Sequence, residues 1–106
     1  MNPRHAAALA LVGWYLIEPP ALATNQNVPD LTAPLSRWTV KYKAQAAADC
    51  EKRRSLDNLL ALDPDFRQYA EITARQKGEV FSAQKLIDFV MPQACIASHD
   101  PRLKEK

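Results

Sequence analysis

Hydrophobic positions are unevenly distributed along this chain. From Ala6 to Ile17, AAALALVGWYLI, twelve residues pass without a charged or amide side chain. The run has no polar face, so it does not read as a helix resting one side on a core. Glu18 and the pair Pro19–Pro20 end it. Residues 24–35, TNQNVPDLTAPL, are polar and proline-rich and predict an extended tether. In SRWTVKYK, residues 36–43, Trp38, Val40 and Tyr42 alternate with Thr39, Lys41 and Lys43. That period of two predicts a half-buried strand anchored in the core by Trp38.

The middle of the chain turns helical. Ala44 to Leu62 is rich in strong helix formers and free of glycine and proline. Ala46, Cys50 and Leu60 mark its inner side, with Ala47 and Leu56 flanking, although Arg53 and Asp57 also fall near that stripe. LDPDF then stops one helix and starts another: Asp63 can cap, and Pro64 suits a first helical position because it has no amide hydrogen to leave unpaired. The second helix is expected from Pro64 to Lys77, with Phe66, Tyr69, Ala70 and Thr73 inward and Gly78 ending it in a left-handed conformation. Ser82 is placed to cap a third helix, Ala83 to Met91, whose apolar face is Leu86, Phe89 and Val90. QACIAS, residues 93–98, reads as a short strand, and HDPRLKEK as a polar tail. The strand, paired beside RWTVKYK, would return Cys95 toward Cys50. The expected class is α+β: two or three helices on a short two-stranded sheet, with one disulfide. An all-α fold is the alternative.

Length and charge change the picture by exclusion. The 106 residues hold one small domain, and a net charge of +2 gives no strong field toward nucleic acid. Two glycines, Gly13 and Gly78, are too few for a phosphate-cradling loop or a strained nucleophile turn. The basic run Lys52–Arg54 lies among Asp49, Glu51 and Asp57, which suits a solvated helix face better than a phosphate contact. Asp63 and Asp65 read as capping acids rather than a cation pair.

The apolar run is placed like the core of an export signal. Arg4 precedes it, breakers end it, and Ala21-Leu22-Ala23 offers the small residues a signal peptidase reads, with cleavage between Ala23 and Thr24. At twelve residues it falls short of the roughly 20 that cross a bilayer. Residues 1–23 are therefore expected to be a cleaved signal or, as the alternative, an uncleaved anchor touching the membrane through residues 6–17. Residues 24–35 are then a linker and 36–106 the domain. Export would bring Cys50 and Cys95 into an oxidising compartment, where a cross-link contributes on the order of 2–4 kcal/mol. Free thiols, redox chemistry, or a metal site using Cys50, Cys95 and His99 are the rival uses of the pair.

Several pieces together resemble a group of short, functionally uncharacterised bacterial proteins that are exported or membrane-anchored. They are Gly13-Trp14-Tyr15-Leu16 with Pro19–Pro20, Pro34-Leu35-Ser36 with Trp38, Cys50-Glu51, and Cys95-Ile96-Ala97 with Asp100-Pro101-Arg102-Leu103. His99 departs from the aspartate that the group tends to carry. The resemblance implies export or membrane attachment and a shared small fold, and no activity.

No nucleophile–base–orienter set can be assembled, and neither a cofactor nor a metal is expected. The expected function is a non-enzymatic binding or interaction module, exported to the periplasm or beyond, or anchored to the cytoplasmic membrane, with an unidentified protein partner in the cell envelope. The alternative is a small enzyme or ligand carrier in which Ser98, His99, Asp100 and Arg102 converge on an anion. That alternative requires a pocket beside residues 98–102.

Overall fold

The structure, a computed structural model, describes residues 13–105. Ala6–Val12, the upstream part of the apolar run, lies outside the described residues. In chain order the elements are β1 (Trp14–Glu18), β2 (Ala21–Leu22), β3 (Asn25–Pro29), a 3-10 turn (Leu35–Arg37), β4 (Thr39–Ala44), α1 (Ala47–Leu62), α2 (Pro64–Gln76), α3 (Ala83–Val90), β5 (Ala94–Ala97) and a second 3-10 turn (Pro101–Lys104). The class is α+β, as expected, and the sheet gains a strand that the sequence pattern did not show.

That strand is β1, and it is the middle one. It pairs antiparallel with β4, from Trp14 opposite Ala44 to Glu18 opposite Thr39, and with β5, from Trp14 opposite Ala97 to Ile17 opposite Ala94. RWTVKYK and QACIAS therefore do not pair with each other; each pairs with β1. Large aromatic and branched side chains favour a strand here, and Pro19–Pro20 ends it by removing amide donors. Leu16 and Ile17 are 0% exposed. A strand buried on both faces shows no alternation, which is why it read as a continuous apolar run.

Gly13 sits where backbones approach closely. Its amide donates to Ser98 Oγ at 3.0 Å, its carbonyl accepts from the Ser98 amide at 2.8 Å, and a Cβ there would stand 3.3 Å from the Ala44 carbonyl oxygen.

The expected tether is built into the fold. Ala21 and Leu22 pair with Pro29 and Asn25 in a small hairpin whose turn is Ala23–Thr24. β3 lies against α3. The Asp30 amide donates to Pro20 O at 2.7 Å, closing the hairpin's base. Asp30 Oδ1 accepts from the Thr32 hydroxyl at 2.7 Å and the Thr32 amide at 3.1 Å, and the hydroxyl bond is the chief reason its carboxyl titrates below the ordinary range. Trp38 is half-buried, and its indole donates to the Ala33 carbonyl at 3.0 Å. The two 3-10 turns pack together, and the Ser36 hydroxyl donates to the Glu105 carbonyl.

α1 lies on the sheet and is stapled to it. Cys50, 0% exposed, is disulfide-bonded to Cys95 of β5, with the Cα atoms 6.0 Å apart. The Arg53 guanidinium stands over the Tyr42 ring at 5.1 Å. The inner side of α1 is carried by Cys50 and Ala61, whereas Ala46 precedes the helix and Leu56 is largely exposed. Small inner residues let the helix approach the sheet closely; the leucines at 56 and 59 are left outside. β4 is an edge strand, and Val40 and Tyr42 are consequently more exposed than their alternation suggested.

α2 comes one residue after α1. Asp63 Oδ1 accepts from the Asp65 amide at 2.8 Å and from the Phe66 amide at 3.4 Å, with Pro64 in the first turn. Asp63 is thus a cap, and Gly78 ends the helix region with φ +72°. The expected inner face is only partly covered: Phe66, Ala70 and Thr73 are half-buried, whereas Tyr69 is 67% exposed. With no fully buried side chain, α2 depends on its caps more than on packing. Asp63→Ala is therefore expected to lower stability by about 1 kcal/mol, read as a lower urea midpoint at unchanged slope. A midpoint shift near zero would mean that α2 contributes nothing to the cooperative unit.

Candidate binding groove

The sheet's Glu18 end, the hairpin and all three helices meet around an open groove of about 880 Å³, within the range of small-molecule and side-chain pockets. One wall is Ala21, Leu22, Ala23 and Gln26 of the hairpin. The other is Asp57, Leu60 and Ala61 of α1 with Phe66 of α2. Val80, Phe81 and Ser82 approach from the α2–α3 connection, and Lys85, Leu86, Phe89 and Val90 come from α3. All three phenylalanines of the chain line it.

Local sequence explains these placements. Phe66 enters because Asp63 starts α2 so that its first turn faces the end of α1. Ser82 Oγ accepts from the Lys85 amide at 3.2 Å, so this hydroxyl is committed to starting α3. The start it sets puts Leu86, Phe89 and Val90 on one side. Val80 is 97% exposed at the rim.

Polar groups gather at one end. Gln93 Nε2 donates to Glu18 Oε1 at 3.2 Å, and Lys41 Nζ lies 3.7 Å from Glu18 Oε2. Gln93 is 5% exposed, and its Oε1 is buried without a hydrogen-bond partner among the described residues. Asp57 Oδ1 is held by Arg53 Nε at 3.2 Å. Lys85 Nζ lies 5.9 Å from the Phe89 ring centre. Glu18 and Asp57 thus balance Lys41 and Lys85, and the groove carries no net charge. Affinity there would come from apolar area and shape rather than from a field.

A second, smaller pocket of about 490 Å³ lies between Pro64, Arg67, Gln68, Glu71, Phe81 and Ala83. Arg67 Nη2 donates to the Leu62 carbonyl at 3.1 Å, which caps the end of α1. Arg67 Nε is buried without a hydrogen-bond partner among the described residues.

The residues singled out from the sequence lie elsewhere. Ser98 ties β5 to Gly13. His99 is exposed. Asp100 caps the second 3-10 turn and receives both Arg102 Nε at 3.1 Å and Nη2 at 2.8 Å. The Arg102 side-chain bonds, then its amide, hold the Asp100 carboxyl at about 2. Asp100 occupies the Nε–Nη2 edge of the Arg102 guanidinium, and neither pocket is lined by residues 98–102. Cys50 and Cys95 are joined to each other, with no free cysteine among the described residues, so a metal site with His99 is not formed by them. Among the described residues no three metal-binding side chains cluster, and no helix is long and apolar enough to cross a membrane. The groove itself was not legible in advance, because its lining is gathered from β1, the hairpin, β4, all three helices and the segments around α3, and no single spacing announces it; the one signal was the trio Phe66, Phe81 and Phe89 around a helix junction.

The segments on which the resemblance was read have structural roles here. Trp14 to Leu16 lie in the sheet's central strand with Gly13 just before it, Pro19 is buried, the Pro34 segment docks on the tail, and Asp100 caps the second 3-10 turn. Compared with protein families, curated proteins and solved structures, the chain matches none.

Proposed function

We propose that this protein is a small, non-enzymatic binding module of the cell envelope, and that the groove between hairpin, α1 and α3 receives an apolar segment of a protein partner. The observation that carries the reading is the convergence of Phe66, Phe81 and Phe89 on one open groove whose charges balance. The disulfide supports a compartment outside the reducing cytoplasm. An anion-carrier role for residues 98–102 is not carried forward, since Arg102 is closed on Asp100.

A photoreactive benzophenone side chain placed at Val80, on the exposed rim, tests this in intact cells. The control position is Arg75, exposed on α2 and outside both pockets. An adduct with a discrete protein from position 80 and none from position 75 is expected. Equal labelling at both positions, or none at 80, overturns the reading.

A further inference from the structure

We infer that the export-like apolar stretch is a permanent part of the folded protein: Trp14–Glu18 remains in the mature chain as its central strand and is not discarded by cleavage between Ala23 and Thr24. The argument starts from pairing. β1 is hydrogen-bonded on both sides, so removing it leaves β4 and β5 with no strand between them. Leu16 and Ile17 are two of the three largest fully buried side chains among the described residues, and Cys50 is the third. The remainder after cleavage would keep α1 against β4 and β5, through the disulfide and the Arg53–Tyr42 contact, but without the strand that holds β4 and β5 together.

Three further observations point the same way. Ala23–Thr24 is the exposed turn of the hairpin, so the bond is reachable, yet the strands on its two sides are interlocked. The Gly13 amide and carbonyl are both bonded to Ser98, near the other end of the chain. Asp30 donates its amide to Pro20 O across the cleavage point.

The same geometry takes Trp14–Ile17 out of the span expected at residues 6–17. With Trp14–Ile17 committed to the sheet, the apolar residues left between Arg4 and the strand are Ala6–Val12. Seven residues, even fully helical, reach about 10 Å, against roughly 30 Å of hydrocarbon. Strand and span are mutually exclusive uses of Leu16 and Ile17, and the sheet takes them.

Intact mass and N-terminal sequencing of the protein from the cells that make it, isolated without reductant, test the inference. An N-terminus at or before Gly13, in a molecule carrying the Cys50–Cys95 bond, is the expected result. An N-terminus at Thr24, or anywhere inside Trp14–Ala23, overturns it. The variant Ala23→Tyr provides a second reading: the position is exposed, so the fold tolerates a large side chain, and the bulk blocks a signal peptidase. A mature start unchanged from the unsubstituted protein is expected, whereas a start that moves upstream to include Gly13 only in the variant shows that the bond is normally cut. Both measurements are independent of whether the groove binds a partner.

Discussion

Reduction of the Cys50–Cys95 bond lowers the melting temperature by roughly 15–30 °C. The cross-linked residues are 45 positions apart, and closing a loop of that length in the unfolded chain removes entropy equivalent to about 4 kcal/mol. For a domain of this size each kcal/mol corresponds to about 4–8 °C, and total stabilities are about 5–15 kcal/mol, so the bond carries a large share. The effect is concentrated where it matters, because Cys50 is also one of few fully buried side chains and joins the long helix to the sheet. Thermal unfolding followed by circular dichroism, with and without dithiothreitol and in the paired variant Cys50→Ala with Cys95→Ala, checks it. A shift below about 5 °C would show that the helix–sheet contact is held by packing and that the cross-link is incidental.

Leu16→Ala costs about 2–5 kcal/mol, the range for emptying a fully buried leucine site. Leu16 lies opposite Cys95 on one side and Tyr42 on the other, so the cavity opens beside the disulfide, where the staple limits collapse. Val80→Ala, at a position 97% exposed, stays within about 0.5 kcal/mol. Urea titration of both variants separates the two: comparable midpoints would mean that β1 is not part of the cooperative core.

The helices could be read from the sequence because their ends are written in side chains that act locally. Asp63 with Pro64, Gly78, and Ser82 each fix a boundary through a bond or dihedral within a few residues, and α2 and α3 fall within one residue of their expected limits. β5 was legible for the same local reason. β1 was not, because burial on both faces erases the alternation that marks a strand, and a short apolar run before a proline pair matches an export signal equally well. The hairpin hid behind polar side chains: Asn25, Gln26 and Asn27 do not resemble strand residues, and it is the backbone pairing with Ala21 and Leu22 that orders them. At the tail, Asp100 and Arg102 have complementary chemistry that the sequence displays, but two residues apart on one turn they satisfy each other rather than a ligand.

The order of strands, β4–β1–β5, also sets a timetable. The middle strand is made first and its second neighbour among the last residues, since Leu16 waits for Cys95. At roughly 5–20 residues per second of synthesis, that interval is about 4–16 s. Throughout it the flank of β1 that β5 will cover has no partner strand, and Leu16 and Ile17 lack the pairing to Cys95 and Ala94. The sheet is therefore complete only when a strand from residues 94–97 reaches one from residues 14–18.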